Sequence, residues 1–287
     1  MGASSAEDRP GGDDAPLGFR DIAVVGGGCY GSFYAGQLER ARERGRVAYR
    51  RLLIVDRNPA CQAAQGDRPA DRILVVQEWS DFFDAWLGGE AGAGDAIVPS
   101  PLMPHLMFEW LLRRSTARWP GRRVDAEPVT VEARTPYEMP APDGVRYLSH
   151  ADWLCPTHCI EPAQCPVIRA PRTWEMTDTL EEMTRRLGRT TRVAGPVALR
   201  CRHRAFGVGM FDAEEVLAAD SLVAEAGRSG DEVRILIGTV SSCHGAVGML
   251  ALGGAEVPSP SIFHPGRGTD EPAPGRTPAT FGEIGNG

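Results

Sequence analysis

The sequence contains no lysine, because all 31 basic residues among its 287 are arginine. Without lysine the chain cannot form a Schiff base with pyridoxal phosphate, and it has no P-loop lysine or lysine general base. Long apolar runs are missing as well: no stretch approaches the roughly 18 consecutive apolar residues that a spanning helix needs. These absences remove several common enzyme classes and predict a protein with no membrane insertion.

Positive charge is also in deficit, since 38 acidic residues outnumber the basic ones and give a net charge of -7. An acidic protein has no general affinity for nucleic acid or for anionic membranes, so neither is an expected partner. The N-terminal residues are polar and acidic, without the apolar segment of a secretory signal, and we expect a cytoplasmic protein. In a reducing compartment, seven cysteines are more typical of thiols or metal ligands than of disulfides.

Composition divides the chain into four parts. Residues 1–19 and 255–287 are rich in Gly, Pro, Ser and acidic residues without periodicity, and they are predicted to be disordered tails. Residues 20–125 are predicted to form a Rossmann-like parallel-sheet domain, and residues 126–254 a smaller α+β domain with a Cys-rich metal-binding loop. The predicted fold class is therefore α/β, with the boundary at a proline-rich joint.

Short apolar strands alternate with helical patterns in the first half, which favours a parallel sheet with right-handed crossovers. The predicted strands there are residues 21–25, 51–56, 72–76 and 96–98, and the predicted helices are residues 30–43, 80–87 and 101–119. In the second half we predict strands at residues 129–132, 145–148, 197–206 and 233–240, with helices at residues 174–187 and 213–225. Four aromatic residues at helical spacing are typical of a core or of a contact face in a homo-oligomer: Trp79, Phe82, Phe83 and Trp86.

The most informative motif is DIAVVGGGCYGSFYAGQL, which contains Gly26-x-Gly28-x-x-Gly31 between a strand and a helix. Gly26 permits a tight turn, Gly28 lets a pyrophosphate approach the backbone, and Gly31 lets the helix pack closely on the strand. The phosphates would lie at the positive N-terminal end of that helix. The motif predicts a dinucleotide-binding site.

An acidic residue stands where the second predicted strand ends, because Asp56 closes the segment RLLIVD. A carboxylate at this position accepts hydrogen bonds from an adenosine ribose and favours NAD over NADP, since it repels a 2′-phosphate. Arg57 follows directly and weakens that preference. FAD competes for the same loop, but no second flavin motif follows, so NAD or NADP is the expected cofactor.

The segments VVGGGCYG and LLIVD resemble Rossmann-type NAD(P)-binding domains, including the TrkA-N (RCK) group. The resemblance covers roughly residues 20–120. It implies nucleotide binding at Gly26, Gly28, Gly31 and Asp56. It does not imply potassium transport, because this fold supports many functions.

A second motif, SHADWLCPTHCIEPAQCP, holds Cys155, Cys159 and Cys165 with the spacing C-x3-C-x5-C. Neighbouring prolines stiffen this loop and reduce the entropy lost when it wraps around an ion. Three thiolates need a fourth ligand, and Cys243 is the first candidate because it follows a predicted strand. His244 and His158 are the alternatives.

Thiolate ligands suit zinc or an iron–sulfur cluster and exclude magnesium and calcium. The spacing matches neither a standard zinc finger nor a bacterial ferredoxin, so both metals stay open. Two other interpretations are a loop of free buried thiols and a reactive cysteine beside a histidine.

Together these motifs predict an NAD(P)-binding protein with a Cys-ligated zinc or iron–sulfur centre, acting as an oxidoreductase on an unidentified small molecule or redox partner. No catalytic residue can be named. The alternative is a non-catalytic nucleotide or redox sensor of the TrkA-N type, in which zinc is structural.

Overall fold

The computed structural model describes residues 15–66, 69–156 and 159–254. The strands in this part of the chain are β1 (Leu17–Val25), β2 (Val47–Asp56), β3 (Arg72–Val76), β4 (Ala96–Val98), β5 (Val124–Glu127), β6 (Tyr137–Pro140), β7 (Arg146–Ser149), β8 (Gln164–Cys165), β9 (Ala170–Pro171), β10 (Val193–Arg200), β11 (Arg202–Ala205), β12 (Val208–Asp212), β13 (Val233–Val240) and β14 (His244–Leu252). The α-helices are α1 (Cys29–Glu43), α2 (Trp79–Ala85), α3 (Leu106–Arg118), α4 (Met176–Leu187) and α5 (Ala213–Gly227). The fold is mixed α/β with several sheets.

The first sheet has the strand order β11-β12-β4-β1-β2-β3. Strands β3, β2, β1 and β4 are parallel, as the alternation of strands and helices predicted. β12 then pairs antiparallel with β4, and β11 antiparallel with β12. The sheet therefore combines four N-terminal strands with two strands that come from more than 100 residues further along the chain.

The second sheet has the order β10-β13-β14-β7-β6, and β5 pairs with another part of β14. β10 and β13 are parallel, whereas β13 and β14 form a long antiparallel hairpin. Strands β8 and β9 form a separate two-stranded ribbon in the Cys-rich loop. The cysteines in the loop and in the β13–β14 turn are thus positioned by this half of the fold.

The described elements pack in five layers. Helix α1 covers one face of the first sheet, and α4 covers the outer face of the second sheet. Helices α2, α3 and α5 lie between the two sheets, where their apolar side chains meet residues such as Val25 and Ile235. Alternation along β1 sends Ile22 and Val24 toward α1, and Ala23 and Val25 toward the middle helices, because side chains in a strand alternate between faces.

Most predicted elements of the first half are present, with boundaries that differ by a few residues. In the second half, the predicted strand at residues 129–132 is wrong. β5 ends at Glu127, immediately before Pro128, which has no N–H to donate to a sheet. Val129 is buried against α4 and the second sheet without belonging to a strand. Its apolar character therefore reflects burial, not strand pairing.

The strand predicted at residues 197–206 is two strands in two different sheets. β10 ends at Arg200, and β11 begins at Arg202. At Cys201 the chain leaves the second sheet, where the Cys201 N–H donates to Val240 O at 2.7 Å, and enters the first sheet. Strand β14, which the sequence did not indicate, is the central partner of the second sheet.

The described residues include only part of the four segments that the sequence predicted. β1 begins at Leu17, so residues 17–19 of the predicted N-terminal tail are strand, while residues 1–14 and 255–287 lie outside the described residues. Because the first sheet takes strands from both sides of residue 125, the boundary there stays a prediction. None of the helices in the described ranges has the length and apolar character required to cross a bilayer.

A buried carboxylate joins the middle of β1 to the middle of β2. Asp21 has a side chain that is 1% exposed and accepts hydrogen bonds from both Arg50 and Arg51. Burial on its own would raise the pKa of Asp21, but the hydrogen bonds from Arg51 and Arg50 outweigh it and lower the pKa from 3.8 to about 2. The folded state therefore favours the charged form of Asp21.

We expect this carboxylate to make the protein sensitive to acid. Its contribution to the free energy of unfolding, about 2 kcal/mol, is present above pH 4 and is lost as the pH falls through about 2. Denaturant titrations at pH 5 and pH 2 on the native protein and on Asp21→Asn measure this contribution by difference. If both proteins lost the same free energy over this range, the carboxylate would not be its source.

Candidate functional site

The glycine loop lies at the carboxyl end of β1 and leads directly into α1. Gly26 has a φ of +85°, a left-handed conformation that favours glycine, and its N–H donates to Val55 O at 2.9 Å. A β-carbon on Gly31 would overlap the carbonyl oxygen of Gly26 and lie 2.8 Å from its carbonyl carbon. Two of the three predicted glycines are thus required by the turn and by the close approach of helix to strand.

Gly28 has a different environment. It caps α1 with an extended backbone, and a β-carbon built on it would have no atom within 4 Å. The first turn of α1 contains no acidic side chain. The N-terminal end of this helix therefore presents its free N–H groups beside open space, which is the arrangement that binds anions in other proteins.

Asp56 stands beside the glycine loop, at the end of β2. Its Oδ2 accepts the N–H of Gly27 at 2.6 Å, and its Oδ1 accepts the N–H of Asn58 at 2.8 Å. A carboxylate has about four acceptor positions, so two further hydrogen bonds remain available to it. Asp56 both fixes the loop and retains the capacity to bind hydroxyl groups.

The chain that follows β2 packs on the loop. A β-carbon on Gly27 would overlap the Sγ of Cys61, and Ala63 donates its N–H to Gly27 O at 2.8 Å. On another side, the indole N–H of Trp79 donates to Val55 O at 3.1 Å. These contacts hold the loop in one conformation before any ligand arrives.

The four cysteines predicted as metal ligands line one cavity of about 180 Å³. Cys155, Cys159 and Cys165 come from the Cys-rich loop, and Cys243 comes from the turn between β13 and β14. All seven cysteines of the chain are free thiols. Whether these four bind a metal stays a prediction: within the described residues, no group of three or more His, Cys, Asp or Glu side chains has an arrangement that would hold a metal ion.

Local backbone structure positions the thiols of the loop. Glu161 has a φ of +53°, a conformation that L residues rarely adopt, and its N–H donates to the Sγ of Cys159 at 3.4 Å. Cys165 lies in the β8–β9 ribbon, where its carbonyl accepts the N–H of Arg169 at 2.9 Å. Strained backbone of this kind persists where the surrounding structure demands it, which often occurs at functional sites.

Glu161 also connects the loop to the β13–β14 turn. Its carboxylate accepts the Ser241 hydroxyl and the Ser242 N–H, both at 2.7 Å, and its side chain is 6% exposed. Cys243 follows directly in that turn and receives the indole N–H of Trp174 at 3.4 Å. Glu161 therefore holds Cys243 and the loop cysteines against the same cavity, although Cys243 lies 78 positions after Cys165 in the sequence.

The electrostatics of the cavity favour neutral thiols in the absence of a cation. Burial raises the pKa of Cys155, and the neighbouring Cys159 and Cys165 raise it further. Burial also raises the pKa of Cys243 to about 11, although the hydrogen bond from Trp174 opposes this shift. A bound cation would reverse this balance, since positive charge stabilises thiolates.

Two histidines that line the same cavity add nitrogen donors. Nδ1 of His203 lies 3.0 Å from Gly207 O, and Nδ1 of His244 lies 3.4 Å from Oε1 of Glu161. Since a carbonyl oxygen only accepts hydrogen bonds, Nδ1 of His203 is the donor to Gly207 O, and Nε2 is the ring nitrogen left for a ligand. Metal-ligating histidines are commonly oriented in this way.

Sequence reasoning considered His244 but gave no role to His203, because no local motif marks it. It lies in β11, far from the Cys-rich loop in sequence, and only the fold brings it to the cavity. His158, the other alternative ligand, lies outside the described residues.

A larger cavity of about 540 Å³ adjoins the Cys-lined one, and His203 and His244 line both. Part of its wall is formed by Pro99 and Ser100, which follow β4. Val24 of β1 pairs with Val98 of β4, so this wall leaves the sheet at the same edge as the glycine loop. The three features therefore lie along one side of the fold.

Comparison with known proteins identifies a family. The model of the AF_1314_C family, described as "Uncharacterized protein, C-terminal domain", matches residues 107–253, which is more than half of the chain. The chain belongs to this family. The matched residues include the Cys-rich loop and Cys243, whereas the glycine loop precedes them. No curated protein and no solved structure matches the chain.

Proposed function

We propose that this protein binds NAD or NADP at the glycine loop and a zinc ion or iron–sulfur cluster at the four cysteines, and that it acts as a redox-linked oxidoreductase. The observation that carries the proposal is the parallel strand order β3-β2-β1-β4 with the glycine loop at the end of β1. A Rossmann sheet has the order 3-2-1-4-5-6, and dinucleotides bind outside the carboxyl ends of its strands, so a parallel order of this kind supports the proposal.

The environment of the loop supports nucleotide binding. The open space at Gly28 leaves room for a pyrophosphate against the backbone, and the N-terminal end of α1 supplies N–H groups. Asp56 stands at the end of the neighbouring strand with acceptor positions for ribose hydroxyls. Arg57 lies 3.5 Å from Glu78, which partly neutralises it and favours NAD over NADP.

The donor set of the Cys-lined cavity supports a metal that prefers sulfur. Four thiols with two imidazoles suit zinc or iron–sulfur, whereas hard cations prefer oxygen. The N–H groups that point to Cys159 and Cys243 are of the kind that stabilise bound thiolates and tune the potential of a cluster. A metal bound by these thiolates would lie next to the larger cavity, because His203 and His244 line both cavities.

Elemental analysis and a visible spectrum of anaerobically purified protein test the metal centre, and titration with NADH and NADPH tests the loop. Iron with acid-labile sulfide together with NAD(P)H oxidation would support an oxidoreductase. One zinc per chain with nucleotide binding but no turnover would favour the sensor over the enzyme. Absence of both metal and nucleotide binding would overturn the proposal.

Replacing Gly28 separates nucleotide binding from folding. Because a β-carbon there has open space, we expect Gly28→Val to cost no more than about 1 kcal/mol of stability at this helix cap. We expect its affinity for NADH to fall by at least about ten-fold, because the side chain would fill the position of the pyrophosphate. Isothermal titration calorimetry measures the affinity.

Gly18→Val is the matched control, since Gly18 is exposed in β1 and a β-carbon there also has no neighbour within 4 Å. This variant should bind NADH as the native protein does. Unchanged affinity in folded Gly28→Val would remove the assignment of the loop as the nucleotide site.

A further inference from the structure

The cavity of about 540 Å³ has the size of a site for a small organic molecule, since such sites span roughly 300–1,000 Å³. It is bounded by the segment after β4, by the β13–β14 turn and by residues of α1, β7, β11 and β12. His203 and His244 separate it from the Cys-lined cavity. A molecule bound here would thus lie beside the candidate metal centre.

The lining has no permanently charged side chain. None of the described residues that line this cavity is Arg, Asp or Glu. Cys201 in its wall is a free thiol. Behind Thr239 lies His105, whose Nδ1 is 3.2 Å from the Thr239 hydroxyl and whose burial lowers its pKa to about 3, so this ring is neutral. A charged ligand would find neither a guanidinium nor a carboxylate partner in this lining.

The lining offers flat apolar surfaces and a few polar groups. Tyr34, Tyr137 and Tyr147 contribute aromatic rings, which pack against other rings in offset or edge-to-face arrangements. Nδ1 of His203 is engaged with Gly207 O, which leaves Nε2 as the ring nitrogen that can hydrogen-bond to a ligand. A ligand with a ring and a hydroxyl or carbonyl group would match both features.

We propose that this cavity binds an uncharged, ring-bearing organic molecule, and that this molecule is the substrate class of the neighbouring centre. The role as substrate rests on the proposed function, whereas binding does not, since it depends only on the cavity. Burying an ionised group in such a cavity without a partner lowers the affinity several-fold or more. The charge of a ligand should therefore decide whether it binds.

Three probes with the same ring system test the proposal at pH 7: 2-naphthol, which is uncharged, 2-naphthoate, which is an anion, and 2-naphthylmethylammonium, which is a cation. Equilibrium binding to the full chain is followed by fluorescence. We expect saturable binding of 2-naphthol, at least about ten-fold tighter than that of either ion. No saturable binding of 2-naphthol, or equal binding of an ion, would overturn the proposal.

A cavity-filling substitution locates the binding. Ala246 lines the cavity from β14, so Ala246→Phe should weaken 2-naphthol binding at least about ten-fold. Ala117→Phe, the same change on the exposed face of α3, should leave binding unchanged. Ser100→Phe, in the loop after β4, repeats the test in case Ala246→Phe does not fold. If neither folded cavity variant weakened binding, the site would lie elsewhere.

The same preparations are assayed for metal and for NADH binding, which keeps the two proposals separate. Absence of 2-naphthol binding in a native protein that holds metal and NADH would overturn the cavity assignment alone. Binding of 2-naphthol by a protein that holds neither would support the cavity site and overturn the proposed function.

Discussion

Gly31→Ala is expected to destabilise the protein by about 3 kcal/mol, which is large for the addition of one methyl group. The new β-carbon would overlap the carbonyl oxygen of Gly26, and both atoms belong to backbone that is held by packing. The strand-to-helix turn must therefore shift, and with it the N-terminal end of α1. Denaturant unfolding measures the loss of stability, and NADH titration shows the effect on the loop.

Gly36→Ala provides the matched control on the same helix. A β-carbon on Gly36 would have no atom within 4 Å, and alanine is the better helix former, so this change should stabilise the protein by about 0.5–1 kcal/mol. Opposite signs for the two substitutions are thus expected within α1. Equal effects would mean that helix propensity, and not the contact between Gly31 and Gly26, decides the outcome.

Cys159→Ser is expected to reduce bound metal from about one equivalent to a small fraction and to lower the melting temperature. The serine hydroxyl is a poor ligand for zinc and for iron–sulfur, and a metal that binds the folded protein contributes its binding energy to folding. The substitution also replaces the sulfur that accepts the Glu161 N–H with a smaller oxygen. Elemental analysis and thermal unfolding of the same sample measure both effects.

Cys29→Ser is the control for this experiment, because Cys29 is exposed at the start of α1 and does not line the Cys-lined cavity. It should retain the metal content of the native protein. Full metal content in Cys159→Ser would show that the metal binds elsewhere, and equal loss in both variants would argue against a specific site.

The first half of the fold was accessible from sequence because its signals are local. Each parallel strand is a short apolar run. The glycine motif marks the turn from β1 to α1, because the geometry of that turn requires glycine. The structure adds the packing of Cys61 on Gly27 and the hydrogen bond from Gly27 to Asp56. These are contacts between segments that no local pattern encodes.

The second half was less accessible because its sheets depend on pairing between distant segments. Val129 is apolar because it is buried, although no strand forms there, and the predicted strand around Cys201 is divided by a change of sheet. The pattern of apolar residues in a strand indicates that one face is buried, but it does not indicate which strands pair with it or which element covers that face. Strand β14, rich in glycine and alanine, gave too weak a pattern to be recognised.

The sequence predicted which cysteines form the candidate metal site, but it did not predict which contacts bring them together. Clustering in sequence pointed to Cys155, Cys159 and Cys165, and the position after a strand pointed to Cys243. The carboxylate of Glu161 that joins the two segments depends on the fold, as does the presence of His203. Metal binding by these cysteines stays a prediction.

The pairing of strand β12 limits how the matched part can occur in other proteins of the family. It lies inside the matched residues, yet it pairs with β4, which lies before them. Alone, the matched part would leave the edge of β12 open, and an open edge readily pairs with other chains. The boundary at residue 107 therefore marks where similarity starts, not where a folding unit starts. A relative that carries this part needs a strand equivalent to β4, from its own preceding sequence or from a second chain.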